Sequence, residues 1–123
     1  YGVTKLFEKK LIHDAFLVQL RQMIVQQLPK GPVNVDSISV VMGTSRRSLQ
    51  RHLADRDICF TQVLADIRSQ LSVRYLTERQ LSIADVAFLL GYVDQGAFTK
   101  AFKGWHGKTP KTYRKEEASY TCY

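Results

Sequence analysis

Arg47, Gln50 and Arg51 stand three and four residues apart in the stretch RRSLQRHLA (46–54), which puts them on one face if that stretch is helical. Arginine and glutamine side chains can each set two hydrogen bonds in one plane, arginine onto guanine O6 and N7, glutamine onto adenine N6 and N7. Arg46 and Ala54 extend the same arc, Leu49 and Leu53 form an apolar seam beside it, and no acid within the stretch interrupts the basic residues. A merely solvated basic face ordinarily carries acids at i, i+4, each pair stabilising the helix by about 0.2–0.5 kcal/mol.

A second cationic cluster follows later. Between Gln95 and Lys115 the chain carries Lys100, Lys103, Lys108, Lys111, Arg114 and Lys115 and no acidic residue. On a helical wheel Phe98, Ala101, Phe102 and Trp105 share one arc, while Gly96, Thr99, Lys100 and Lys103 share the opposite one. Lysine is a point charge suited to phosphate, so this cluster is expected to supply affinity and the first cluster the choice of sequence. Ser45, Arg46, Arg68, Lys103, Lys108 and Lys111 are the candidate phosphate contacts.

Other chemistry finds little support. No Ser/His/Asp set, glycine-rich phosphate loop or carboxylate pair can be assembled at a sensible spacing, so an enzyme is not expected. His13, His52 and His106 show no metal-ligand spacing with Cys59 and Cys122, and neither a metal nor a cofactor is expected. His52 and His106 are read as surface or phosphate-contacting residues, and Asp14, Asp55 and Asp66 as ordinary acids on helix surfaces.

These residues need helices to position them. Apolar positions recur at helical spacing in segment after segment, so the chain reads as all-α, with about seven helices. Phe16, Leu20, Ile24 and Leu28 form a first stripe, ended by PKGP at 29–32. Asn34 is placed to cap a second helix with Val35, Ile38 and Met42 inward and Gly43 as its stop, and Ser45 to cap a third. A long helix over 60–77 presents Phe60, Val63, Leu64, Ile67, Leu71 and Tyr75. Ser82 and Asp85 suggest a capping box before a helix with Ile83, Val86 and Leu90 inward, which stops at Gly91. Asp94 caps the next helix, and Thr109 and Pro110 open a short closing one with Tyr113 turned inward.

Two of these units are copies. VDSISVVMG (35–43) set over IADVAFLLG (83–91) matches Val35 with Ile83, Ile38 with Val86, Ser39 with Ala87 and Met42 with Leu90, at a constant offset of 48 residues. Beyond the glycines, Leu49 and Leu53 answer Phe98 and Phe102 after an insertion of one residue. The organising unit is therefore a duplicated helix-turn-helix, with a small residue in the first helix and a left-handed glycine at the corner.

The totals agree. A chain of 123 residues with 45% hydrophobic and 24% charged residues can bury a modest core, and a net charge of +7 favours polyanionic partners. Two isolated cysteines make no disulfide framework and fit a reducing cytoplasm, and no apolar run approaches the roughly 20 residues that span a bilayer. The chain opens on Tyr1, which we read as a fragment of something longer.

LGYVDQGAFTKAFKGWHGKTPKTYRK (90–115) resembles the C-terminal signature of the AraC/XylS family of bacterial transcription regulators. MGTSRRSLQRHLADRDICF (42–60) is similar to the first helix-turn-helix of that family, with its Ser-x-x-x-Leu-x-Arg core. The resemblance implies two helix-turn-helix subdomains joined by a long linker helix, reading double-stranded DNA through two recognition helices in successive major grooves about 34 Å apart. It places base contacts on Arg47, Gln50, Arg51, Gln95, Gly96, Thr99 and Lys100. It also implies RNA polymerase as a partner, an N-terminal effector and dimerisation domain, and a bacterial cytoplasmic, nucleoid-associated location with no membrane. The expected divisions are a leading helix region at 1–33, a first helix-turn-helix at 34–59, a linker at 60–81, a second helix-turn-helix with closing helix at 82–115, and a flexible tail at 116–123. Three positions depart from the pattern. Asp57 stands where relatives often have glycine, Val93 where a small polar residue is common, and Gly96 where relatives present glutamine. The rival reading is a basic helical module for RNA or protein. RNA readers typically expose aromatics for stacking, whereas Phe98, Phe102, Trp105 and Tyr113 are expected on the packing side.

Overall fold

Asp14 starts the first helix: its carboxylate accepts the Phe16 N–H at 3.0 Å, and α1 runs over Ala15–Gln27. The computed structural model describes residues 14–78 and 80–120, with side chains to Glu117. Residues 1–13 (with His13), Arg79 and residues 121–123 (with Cys122) lie outside the described residues. Among the described residues seven α-helices follow one another and there is no strand. The chain divides into two units, one ending at Ile67 and the other beginning at Arg68.

In the first unit, α1 buries Leu17, Leu20 and Ile24, and a 3-10 turn over Leu28–Lys30 buries Leu28. Leu17 thus takes the inward place expected of Phe16. Phe16 sits on the shoulder, stacked on His52 with ring centroids 4.8 Å apart and the Arg56 guanidinium 4.6 Å from its centroid. Pro29 lies near the start of the 3-10 turn, where its missing N–H costs no helical bond. Helix α2, Val35–Val41, opens with a full capping box between Asn34 and Ser37, and α3, Arg46–Ala54, with the Ser45 hydroxyl accepting the Ser48 N–H. Of the expected inner face of α2, Ile38 is fully buried and Val35 and Met42 only half so. Asp57, with φ of 55°, is the only non-glycine residue at positive φ among the described residues, as expected for an aspartate standing in for glycine.

Helix α4, Phe60–Leu76, contributes buried Phe60, Val63 and Ile67 to the first unit and Leu71, Ser72 and Leu76 to the second. The second unit continues with α5, Ile83–Leu89, α6, Gln95–His106, and α7, Pro110–Tyr120. Phe98 and Phe102 are wholly buried, each worth about 1.5–3 kcal/mol. Their rings meet edge-on at 5.8 Å, and Phe102 meets Tyr113 at 5.5 Å. Helix α7 continues past the expected boundary at Lys115 as far as Tyr120, with Glu116 reaching back to Lys108 at 2.6 Å.

The duplication extends to individual hydrogen bonds. Ser82 and Asp85 repeat the Asn34–Ser37 capping box 48 residues on. Gly43 and Gly91, at φ of 70° and 82°, end α2 and α5 in the same way. Gly43 N–H donates to Val40 and Thr44 N–H to Ser39, as Gly91 does to Phe88 and Tyr92 to Ala87, all within 2.9–3.1 Å. This paired pattern is the Schellman termination, which needs a left-handed residue after the cap and so favours glycine there.

Candidate nucleic-acid interface

Helix α3 divides its side chains by exposure. Leu49 and Leu53 are buried, whereas Arg46, Arg47, Gln50, Arg51 and Ala54 are exposed. Arg47, Gln50, Arg51 and Ala54 stand at i, i+3, i+4 and i+7, a single stripe along the helix. Arg47 and Arg51 form no ion pair among the described residues. Arg46 is different. Asp36, in the first turn of α2, receives two hydrogen bonds from its guanidinium at 3.1 and 3.2 Å. No acid on α3 itself interrupts the basic arc, but the neighbouring helix supplies one. Both side chains are more than half exposed, so the pair contributes at most about 1 kcal/mol.

Helix α6 is capped by Asp94, whose carboxylate accepts the Ala97 N–H at 2.8 Å. Gln95, Gly96, Lys100 and Lys103 are exposed, while Thr99, expected with them, is half-buried. Counted from the two caps, Gly96 occupies the place of Arg47, Thr99 that of Gln50 and Lys100 that of Arg51. The second helix therefore presents shorter side chains at the positions where the first carries its longest.

The cationic candidates fare differently from one another. Lys103 and Lys111 are exposed and form no ion pair among the described residues. Lys108 pairs with Glu116 and lies 5.8 Å from the Tyr113 ring centroid, and the carboxylate raises its pKa. Ser45 spends its oxygen as the cap of α3 and keeps its O–H as a donor. Arg68 is half-buried, donates its Nε–H to the Leu90 carbonyl at 2.9 Å, and lies 4.8 Å from the centroid of Tyr92. Arg114, counted with the basic run, donates to the carbonyls of Leu76 and Glu78 and so closes the end of α4.

His106, read as a surface residue, belongs to the packing of the second unit instead. Its ring lies 4.5 Å from Phe102, its Nε2 is 3.0 Å from the Ser69 hydroxyl, and burial pushes its pKa below the usual value. Asp14, read as a surface acid, is a cap and a partner of Arg56, whose hydrogen bonds hold its carboxyl below the usual range. Asp66 is half-buried, and Asp55 is exposed as expected. Sequence reasoning could not reach the Arg68 and Arg114 contacts, because their partners are backbone carbonyls 22 to 38 residues away that carry no side-chain signal. No helix among the described residues is long and apolar enough to cross a membrane.

Residues 38–116 match a family described as a helix-turn-helix domain. The chain is 35% identical over 103 residues to the ornithine utilization regulator of Pseudomonas aeruginosa, a match covering 84% of this chain and 30% of that protein. It is 32% identical over 87 residues to the transcriptional regulator VirS of Mycobacterium tuberculosis, covering 71% of this chain and 26% of that protein. The C-terminal domain of AraT, a response regulator from Geobacillus stearothermophilus, superposes with a TM-score of 0.70 at 26% identity, over 84% of this chain and 86% of that one. The chain thus spans less than a third of the length of either of these two curated relatives.

Proposed function

This chain belongs to the AraC-type helix-turn-helix family of DNA-binding transcription regulators, and from that premise we propose that it selects a particular double-stranded site. In this reading residues 34–59 and 82–115 are the two gripping units, 60–81 connects them, and α3 and α6 are the recognition helices, entering successive major grooves on one face of the duplex. The observation that carries the proposal is the exposed, acid-free stripe of Arg47, Gln50 and Arg51 on a helix whose opposite side is buried.

Arg47, Gln50 and Arg51 would read base edges in the first half of the site, and Gln95, Thr99 and Lys100 in the second. Ser45, Arg46, Lys103, Lys108 and Lys111 would hold phosphates. Arg46 and Lys108 must exchange their carboxylate partners for phosphate, a small cost for exposed pairs. We assign Arg68 to positioning, since its Nε–H and its guanidinium face are engaged within the second unit. No catalytic step is proposed. An N-terminal effector and dimerisation domain completes the reading, supported by the greater length of the relatives, and RNA polymerase as a partner and residence on the bacterial nucleoid follow from the proposed role.

The test is selection of duplexes by the purified chain from a random pool, followed by a salt titration of the recovered site. A shared motif is expected, with log affinity falling against log salt by about 0.9 per phosphate contact. Equal affinity for single-stranded RNA would sink the reading in favour of a general polyanion binder.

A further inference from the structure

The corner between α5 and α6 is one residue longer than the corner between α2 and α3. Tyr92 donates to Ala87 as Thr44 donates to Ser39, so Tyr92 and Thr44 are equivalent. The helix cap follows Thr44 at once, as Ser45, but in the second corner Val93 intervenes before Asp94. Val93 is therefore the inserted residue, and it is 98% exposed. An apolar residue directly before an N-cap commonly packs against the fourth helical residue. Here that residue is Phe98, and the ring that meets it, at 5.7 Å, is Tyr92. The fold closes without Val93.

The surroundings narrow what Val93 could touch. Gly96 and Ala97, on the first turn of α6, are exposed and carry no polar side-chain atom. The Asp94 carboxylate, bonded to the Ala97 N–H, already occupies the N-terminus of the helix and repels a phosphate there. Gln95, exposed on the same turn, suits a polar base edge, whereas Val93 itself calls for an apolar complement, and the major groove offers one in the 5-methyl of thymine. The leading residues of a recognition helix are those that reach base edges, so the patch is continuous with the interface proposed above. We infer that Val93 packs on the 5-methyl of one thymine in the second half of the site and makes that position a T·A pair. This inference rests on the DNA-binding reading.

The test uses the duplex recovered by selection, with each thymine replaced singly by deoxyuridine, bound to the wild-type chain and to Val93→Ser. In the wild type one replacement should weaken binding by about fourfold, the size expected of one buried methyl group. With Val93→Ser the same replacement should have no effect, and binding of the thymine duplex should fall to the level of the wild type on the deoxyuridine duplex. The melting temperature of Val93→Ser should match the wild type, and a fall would overturn the claim that the fold makes no use of this side chain. Uridine penalties unchanged by Val93→Ser, in a protein that still selects its motif, would overturn the inference and leave the DNA-binding reading standing. If no motif is selected at all, both fall.

Discussion

Arg68 and Leu90 are joined by a 2.9 Å hydrogen bond from the arginine Nε–H to the leucine carbonyl, at the C-terminal cap of α5. The same guanidinium lies over Tyr92, which follows the corner glycine. One side chain from α4 thereby ties that helix to the end of α5 and to the approach to α6.

Arg68→Ala should accordingly destabilise the second unit by about 1.5–3 kcal/mol, the usual worth of a hydrogen bond involving a charged group. The slope of log affinity against log salt should stay unchanged. A direct phosphate contact would show the opposite pattern, with the slope reduced by about 1 and the melting temperature unmoved. Thermal melts and salt titrations of the one variant separate the two roles.

The two clusters should divide their labour. Gln50→Ala or Arg51→Ala is expected to relax base preference at single positions, with discrimination falling by about 1–3 kcal/mol at each. Lys103→Ala should weaken all duplexes alike and lower the salt slope by about 1. Competition binding against a panel of single-base variants reads both, and the reverse assignment would refute the division.

His106 ties stability to pH. Burial lowers its pKa in the folded chain from an ordinary 6.5, so between the two values the unfolded chain holds more protons. The contribution to stability is complete above about pH 6.5 and is lost as pH falls through the lowered folded value. His106→Gln should flatten that part of the profile, measured by urea unfolding between about pH 7.5 and about pH 5. Asp14 acts at lower pH. Its carboxyl is lowered by Arg56, so its contribution persists above the usual carboxylate value of 3.8 and disappears only as pH falls through the still lower folded value.

Gly104 lies in the interior of α6, is exposed, and leaves open space where a Cβ would stand. Gly104→Ala should therefore stabilise the chain by about 0.5–1 kcal/mol through helix propensity alone. A thermal melt showing no gain would mean that the exchange relieves no backbone freedom in the unfolded chain.

Local architecture was legible in the residues alone, because caps and corners are made by residues within a few positions of one another. Asn34, Ser45, Ser82 and Asp94 cap the helices assigned to them, and the glycines at 43 and 91 end theirs. The duplication was legible for the same reason, as a repeated apolar pattern at fixed offset. The employment of each charged or polar side chain was settled instead by contacts made in the folded chain. Arg46 meets Asp36, Arg68 meets the Leu90 carbonyl, Arg114 meets the end of α4, and His106 turns into the aromatic core. Composition counts such groups as free cations or surface residues, but a long flexible side chain goes to whichever carbonyl, carboxylate or ring the fold brings within reach. That neighbour is set by packing between segments distant in the chain, and no periodicity records it.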